Sequence, residues 1–160
     1  MSPTSGRPVN NMARWLCQAA PSARKALAQW EAGRTTPLTV GRQWDLVEVD
    51  FTLATAAITR LRDADRHIGL YLMGGMEHAM WWLLPLGTAP HLTGVPGIMP
   101  RPKGSELFAP PPGKYRGDRV WVIPGQGGEE WRTLTAADDL RIAARTGMRL
   151  LGRKAVTPCP

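Results

Sequence analysis

The sequence predicts an α+β fold in which a single domain is built around one central mixed sheet flanked by helices. Two observations carry this prediction. Apolar residues recur at helical spacing at both ends of the chain, and between them short apolar runs alternate with loops rich in Pro and Gly and with one further helical stretch. At 160 residues, the chain has the size of one ordinary domain and is too short for two.

The amino-terminal part of the domain is predicted to form two short helices. Trp15 and Leu16 belong to an apolar stripe at helical spacing, and a second stripe runs through residues 23–30 and ends at Gly33. Pro21 lies between the two stripes, where a first helical turn tolerates it. We expect both helices to pack against the sheet.

The strands follow and are interrupted by one helix. This helix is predicted from about residue 52 to residue 65, with Asp50 available as its cap. A last helix is predicted from residue 136 to about residue 145, opened by a capping box at residues 135–138 and ended near Gly147. Alternating apolar residues and apolar runs bounded by turns predict the strands. The predicted strands are residues 38–40, 44–49, 68–73, 79–84, 95–99, 106–109 and 119–123.

The limits of the domain follow from composition. We expect a flexible leader over residues 1–9, the domain over residues 10–151 and a basic tail over residues 152–160. Two cysteines can form neither a disulfide framework nor a cysteine-rich zinc site. The longest apolar run, residues 79–84, is far too short to cross a membrane, and the polar start is not a signal peptide. We therefore expect a cytoplasmic protein without a membrane partner.

The balance of charge points to an anionic partner. The formal net charge is +7, and 16 of the 20 basic residues are arginines. The planar guanidinium matches phosphate oxygens and stacks on bases, so DNA or RNA is a plausible partner. A GC-rich genome favours arginine codons in the same way, and a basic protein can simply be soluble.

Two carboxylates alternate with apolar residues at the end of one predicted strand. Glu48 and Asp50 project from the same face because side chains repeat every second residue along a strand. Carboxylate pairs of this kind hold hard cations such as Mg²⁺ or Mn²⁺ in nucleotidyl transfer. The alternative is a solvent-facing strand edge in which Asp50 caps the following helix.

A histidine follows two glycines at the turn between two predicted strands. His78 could lie near a bound triphosphate, although lone histidines are usually structural or simply exposed. His67 and His91 lack this context and are interpreted as surface residues.

Four segments occur in a characteristic order along the chain: an acid-x-acid strand at residues 46–51, a Gly-Gly and histidine segment at 74–82, a proline segment at 107–112, and residues 117–121. Together they resemble the amino-terminal prim-pol domain of archaeo-eukaryotic-type bifunctional DNA primase/polymerases, over about residues 44–124. The chain also resembles short actinobacterial proteins of that type.

This resemblance implies an RRM-like sheet that positions metal, nucleotide and template, with Glu48, Asp50 and His78 in the catalytic site and Glu48 and Asp50 as metal ligands. The chain also departs from the family pattern. Glu48 replaces an aspartate, His78 stands one residue further from the glycines, and Pro112 replaces a serine. The third acidic ligand is absent near Arg101, where a positive charge stands instead. We therefore interpret the site as degenerate and expect no cofactor, or Mg²⁺ or Mn²⁺ if the site is active.

The later part of the chain carries a basic run with aromatic residues between the cations. This combination offers phosphate attraction together with stacking surfaces, as nucleic-acid-binding proteins do. The alternative is a solvated loop whose aromatic side chains pack inward. The candidate nucleic-acid-binding residues are Arg101, Lys103, Lys114, Tyr115, Arg116, Arg119 and Trp121.

Three functions follow from the sequence. The leading hypothesis is a catalytically degenerate prim-pol-like protein that binds nucleic acid or a replication-associated partner. The second is an active minimal DNA primase/polymerase. The third is a protein-interaction module, with a protein partner or a homo-oligomer as its target. A weaker hypothesis places Arg24 and Lys25 of an amino-terminal helix-turn-helix against DNA, but the connecting turn lacks the usual glycine.

Overall fold

The computed structural model describes the backbone of residues 7–114, 118–123 and 129–156, and the side chains from residue 11 to residue 152 within these ranges. It confirms the α+β class. The helices are α1 (Arg7–Cys17), α2 (Ala23–Glu31), α3 (Phe51–Asp63) and α4 (Ala137–Val156). The strands are β1 (Thr36–Thr39), β2 (Asp45–Asp50), β3 (Tyr71–Gly74), β4 (Ala79–Leu84), β5 (Ile98–Pro100), β6 (Glu106–Ala109) and β7 (Arg119–Val122).

Five strands form the main sheet in the order β5-β2-β4-β3-β7. All of its pairs are antiparallel, where the sequence predicted a mixed sheet. Strands β1 and β6 pair with each other as a separate two-stranded sheet and do not join the central one. This small sheet instead packs Leu38, Leu107 and Ala109 into the core on one face of the main sheet.

The succession β2, α3, β3, β4, β5 with the strand order β5-β2-β4-β3 is the arrangement of an RRM-like unit. In such a unit a second helix joins the third and fourth strands. Here the 3₁₀ turn Ala89–Leu92 occupies that connection, and α4 from the end of the chain packs beside α3. Four strands of the main sheet therefore have the RRM-like order, and α4 takes the place of the second helix.

Both faces of the main sheet are covered. One core lies between the sheet and the layer formed by α1, α2 and the small sheet, and the other lies between the sheet and α3 with α4. Trp81 belongs to the first core and its neighbour Trp82 to the second, because adjacent side chains of a strand point to opposite faces. The prediction that α1 and α2 pack against the sheet is confirmed.

Helix α4 does not end near Gly147, as the sequence predicted, but continues to Val156. A Cβ atom built on Gly147 would lie 3.0 Å from the Cβ of Ala56 in α3. Gly147 thus permits a close approach of two helices and does not terminate one. Helix α1 likewise begins at Arg7, so helical structure overlaps both the leader and the tail that we expected from composition.

The predicted capping box at the start of α4 is also wrong. Helix α4 begins at Ala137, and the hydroxyl of Thr135 instead accepts hydrogen bonds from the Gly69 backbone N–H (2.8 Å) and the Trp82 indole N–H (3.0 Å). Thr135 is fully buried. It therefore joins the segment before α4 to the sheet through two buried hydrogen bonds.

No helix within the described ranges is long and apolar enough to span a bilayer.

The Thr135 hydroxyl offers a test of the second core. Thr135→Val keeps the shape of the side chain but leaves two buried N–H donors unpaired, so we expect the free energy of unfolding to fall by about 2–5 kcal/mol. Thr135→Ser keeps the acceptor and loses only a methyl group, which we expect to cost about 1 kcal/mol. Urea denaturation followed by tryptophan fluorescence measures both. Equal stability of the two variants would contradict the proposed role of the hydroxyl.

Candidate functional site

The first predicted acid, Glu48, lies in the middle of β2 and is half-buried on the face that packs against α1 and α2. Its Oε1 accepts a hydrogen bond of 3.0 Å from the indole N–H of Trp81 on β4, the strand that pairs with β2. Buried tryptophan N–H groups usually have a hydrogen-bond acceptor. Glu48 thus has a structural task on the covered side of the sheet.

The second acid, Asp50, ends β2 and is the N-cap of α3, as the alternative interpretation of the sequence predicted. Its Oδ2 accepts a hydrogen bond of 3.3 Å from the backbone N–H of Leu53. A carboxylate at this position also interacts favourably with the positive end of the helix dipole. Helix α3 packs on one face of the sheet, and the partner of Glu48 lies on the other face. The two carboxylates therefore have different structural roles.

The histidine of the predicted site lies in the turn between β3 and β4, at the same end of the sheet as Asp50. His78 is exposed and has a φ of +52°, a left-handed conformation that is uncommon for residues other than glycine. Its carbonyl accepts a hydrogen bond of 2.9 Å from the N–H of Phe51, at the first residue of α3. The backbone of His78 therefore helps to fix the junction between β2 and α3.

Asp50 and His78 lie at one end of the sheet, and Glu48 lies two residues before Asp50 on β2. Within the described part of the chain, no three His, Cys, Asp or Glu side chains are grouped so that they could hold a metal ion. The metal pair Glu48 and Asp50 stays a hypothesis derived from spacing, and both carboxylates have protein hydrogen-bond donors.

Two members of the predicted basic run are engaged within the protein. The Arg119 guanidinium bonds Glu77 at 2.9 Å and the carbonyl of Phe108 at 2.7 Å, and it lies 4.5 Å from the centre of the Trp81 ring. Trp121 is only 3% exposed, and its indole donates a 2.8 Å hydrogen bond to a backbone carbonyl. The expectation that Trp121 offers a stacking surface is wrong, because β7 turns its ring into the first core.

The remaining members of the run are distributed over the molecule. Lys114 is exposed beside a groove formed by α1, α2 and the proline segment. Tyr115 and Arg116 lie outside the described residues. Arg101 and Lys103 alone meet at one cleft of the surface. The basic run is thus not one continuous patch.

A cleft with a volume of about 740 Å³ lies between the β1–β2 loop, the segment after β5 and the turn after β4. Three cations line it: Arg42, Arg101 and Lys103. Asp45 contributes the one carboxylate of its lining, and Leu86 is among its apolar residues. We call this site the cation cleft.

The Arg42 guanidinium is exposed in the cation cleft and donates a 3.1 Å hydrogen bond to the carbonyl of Ala20, so it is anchored from behind. The Lys103 stem lies against Gly41, where a Cβ atom would collide with it. Gly41 also has a φ of +87°, which favours glycine. The glycine thus both turns the chain after β1 and makes room for the lysine.

Backbone hydrogen bonds join the two loops that carry these cations. The N–H of Val40 donates to Ser105 at 2.8 Å, and the N–H of Gly104 donates back to Val40 at 2.8 Å. The N–H of Arg101 donates to the carbonyl of Leu46 in β2 at 2.9 Å. The three cations are therefore held on loops that are tied to each other and to the sheet.

The third wall of the cation cleft is the turn after β4. Asp45 at the start of β2 accepts a 2.9 Å hydrogen bond from the backbone N–H of Ala89, so this carboxylate fixes the wall. Thr88 closes the turn by donating from its hydroxyl to the carbonyl of Pro85 at 2.6 Å. Leu86 and Pro90 remain exposed on the cleft side.

Sequence reasoning found Arg101 and Lys103 but missed Arg42. Arg42 and Arg101 are roughly sixty residues apart in the sequence. Only the tertiary structure brings the two arginines to the same cleft. The single local signal was the pair of Gly41 and Arg42 in a turn directly before a strand.

No family model, curated protein or solved structure matches the chain.

Two groups with displaced pKa values lie in the cores, away from the cation cleft. Burial raises the pKa of the Cys17 thiol to about 12. Burial also raises the pKa of the Tyr71 phenol, against a smaller opposing effect of the Arg62 charge. Since the thiolate is the reactive form of cysteine, Cys17 is unsuited to nucleophilic chemistry near neutral pH.

The role of Asp50 can be tested with two substitutions. Asp50→Ala removes the helix cap, and we expect it to lower the free energy of unfolding by about 1 kcal/mol. Asp50→Asn keeps a good cap and should leave stability close to that of the unmodified protein. Chemical denaturation gives both values, and titration calorimetry with millimolar Mn²⁺ should show no heat of binding for any of the three proteins. Mn²⁺ binding that Asp50→Asn abolishes would show that Asp50 is a metal ligand.

Proposed function

We propose that this protein binds nucleic acid without catalysing nucleotidyl transfer, and that the cation cleft is its contact site. The observation that carries the proposal is the grouping of Arg42, Arg101 and Lys103 around one cleft with a single carboxylate. Phosphate contacts of Arg and Lys, with release of counterions, supply most of the affinity in such complexes.

The state of each charged group supports this choice of site. Arg42 and Lys103 are exposed and Arg101 is half-buried, so all three have access to solvent. One carboxylate oxygen of Asp45 accepts a hydrogen bond from the Ala89 N–H. Arg119, by contrast, is paired with Glu77, which makes it a poorer phosphate ligand.

Two further observations support a site on loops. The face of an RRM sheet that stacks bases is open, whereas both faces of this sheet are covered by other elements. The net charge of +7 favours binding to a polyanion. A nucleic acid would therefore meet this protein at the ends of the strands.

We extend the proposal to ancestry and activity. The order of β2, α3, β3, β4 and β5 is consistent with descent from a prim-pol domain. Loss of catalysis is supported by the number of ligands: within the described residues no third His, Cys, Asp or Glu side chain is grouped with Glu48 and Asp50, and one pair of carboxylates supplies too few oxygens for two cations. A binding protein is the function that this scaffold supports best.

Charge reversal in the cation cleft tests the site. For the double variant Arg101→Glu with Lys103→Glu, we expect the Kd for fluorescein-labelled DNA to rise at least about tenfold at low salt, and the slope of log Kd against log salt to fall by about 1.5, because two phosphate contacts are lost. Fluorescence anisotropy over a salt series measures both.

The matched control reverses Arg62 in the last turn of α3 and Arg66 just after the helix, Arg62→Glu with Arg66→Glu, which changes the net charge by the same amount at exposed positions outside the cleft. This control should lose far less affinity. Equal losses in the two double variants would show that total charge, and not the cation cleft, determines binding.

The absence of catalysis is a separate prediction. With a primed template, labelled nucleotides and either Mg²⁺ or Mn²⁺, we expect no incorporation above that of a heat-denatured sample, since within the described residues Glu48 and Asp50 are not joined by a third ligand. Denaturing gel electrophoresis of the primer gives the answer. Incorporation that Asp50→Asn abolishes would establish an active polymerase in place of the proposed function.

A further inference from the structure

We infer that the cation cleft takes single-stranded nucleic acid, with phosphates at Arg101 and Lys103 and a base against Leu86. This inference rests on the proposed function and specifies the kind of strand. The lining of the cleft is mixed: it combines three cations with exposed apolar residues of the turn after β4.

The cleft contains exposed apolar residues that phosphate binding does not require. Leu86 is 51% exposed, and Pro90 beside it is exposed as well, on a turn held in place by Asp45. A phosphate gains no free energy from contact with leucine or proline. The face of an unpaired base does, because contact removes apolar surface of both partners from water.

Shape points in the same direction. The volume of the cleft, about 740 Å³, lies in the range of pockets that bind small organic molecules. A duplex presents its phosphates on a convex surface and keeps its base faces stacked inside, so it can reach the cations but cannot bring a base to Leu86. A single strand can unstack a base and bring its phosphates and that base into the cleft together.

The lining also indicates how selective the site is. None of the cleft residues that we describe is aromatic, so the base contact lacks aromatic stacking and depends on apolar contact with Leu86 and Pro90. Every base has an apolar face, and contact of this kind carries little sequence information. We therefore expect the site to prefer single-stranded over double-stranded nucleic acid and to show little preference for a base sequence.

The experiment uses the intact protein with two labelled ligands, an oligothymidylate of sixteen nucleotides and a duplex of equal length. Inorganic polyphosphate is the competitor. By fluorescence anisotropy at low salt, we expect the single strand to bind at least about fivefold more tightly than the duplex, and polyphosphate to compete less well per charge than oligothymidylate. Leu86→Ser should weaken binding of the single strand by about threefold to tenfold and leave the duplex unchanged.

The matched control is Met99→Ser on β5, an apolar residue of similar exposure (58%) that lies outside the cation cleft. It should leave the affinity for both nucleic acids unchanged. Equal affinity for single strand and duplex, or equal losses in Leu86→Ser and Met99→Ser, would overturn the inference and leave the proposed function intact. Polyphosphate that competes as well per charge as oligothymidylate would overturn it too. If neither nucleic acid binds at low salt, the proposed function itself fails and the inference with it.

Discussion

The constraint on which the rest of this structure depends is the burial of both faces of the main sheet. Strand β4 is buried at every position, and Trp81 and Trp82 fill the cores on its two sides. A sheet covered in this way has to be apolar on both faces, as β4 is. Neither face of the sheet is open to a ligand, and the cation cleft lies on loops at the ends of the strands.

The same constraint explains the fate of the polar residues that the strands do contain. Glu48 stands on a covered face, and its carboxylate needs a hydrogen-bond donor there, which the Trp81 indole supplies. Arg119 stands at the edge of that face and satisfies its guanidinium with Glu77 and the Phe108 carbonyl. Glu48 thus joins two strands of the main sheet, and Arg119 joins this sheet to the small sheet and to the turn between β3 and β4.

Local features of this fold could be predicted from the sequence, and contacts between distant segments could not. Strand β6 has the predicted bounds, and the cap of α3 by Asp50 follows from residue type at a helix start. By contrast, Gly147 carries the signal of a helix end, yet Ala56 on another helix decides its role. The burial of Trp121 and the pairing of β1 with β6 likewise depend on segments far apart in the chain.

In the candidate site, too, the residue types could be predicted from the sequence, but their contacts could not. The spacing of Glu48 and Asp50 was a local signal, but which donors would occupy the two carboxylates depended on Trp81 and on where α3 begins. Arg101 and Lys103 were visible as a basic pair, whereas the approach of Arg42 required the backbone hydrogen bonds between two loops. Residue types can be read from a sequence, and their convergence depends on the fold.

Strand β5 at one margin of the main sheet has a consequence for association between molecules. It has only three residues, and the last, Pro100, has no backbone N–H to offer to a further strand. Short edge strands that contain proline are poor templates for the edge-to-edge growth that leads to fibrils. Crowded copies of the protein are thereby protected, on this side, from fusing their sheets into one continuous ribbon.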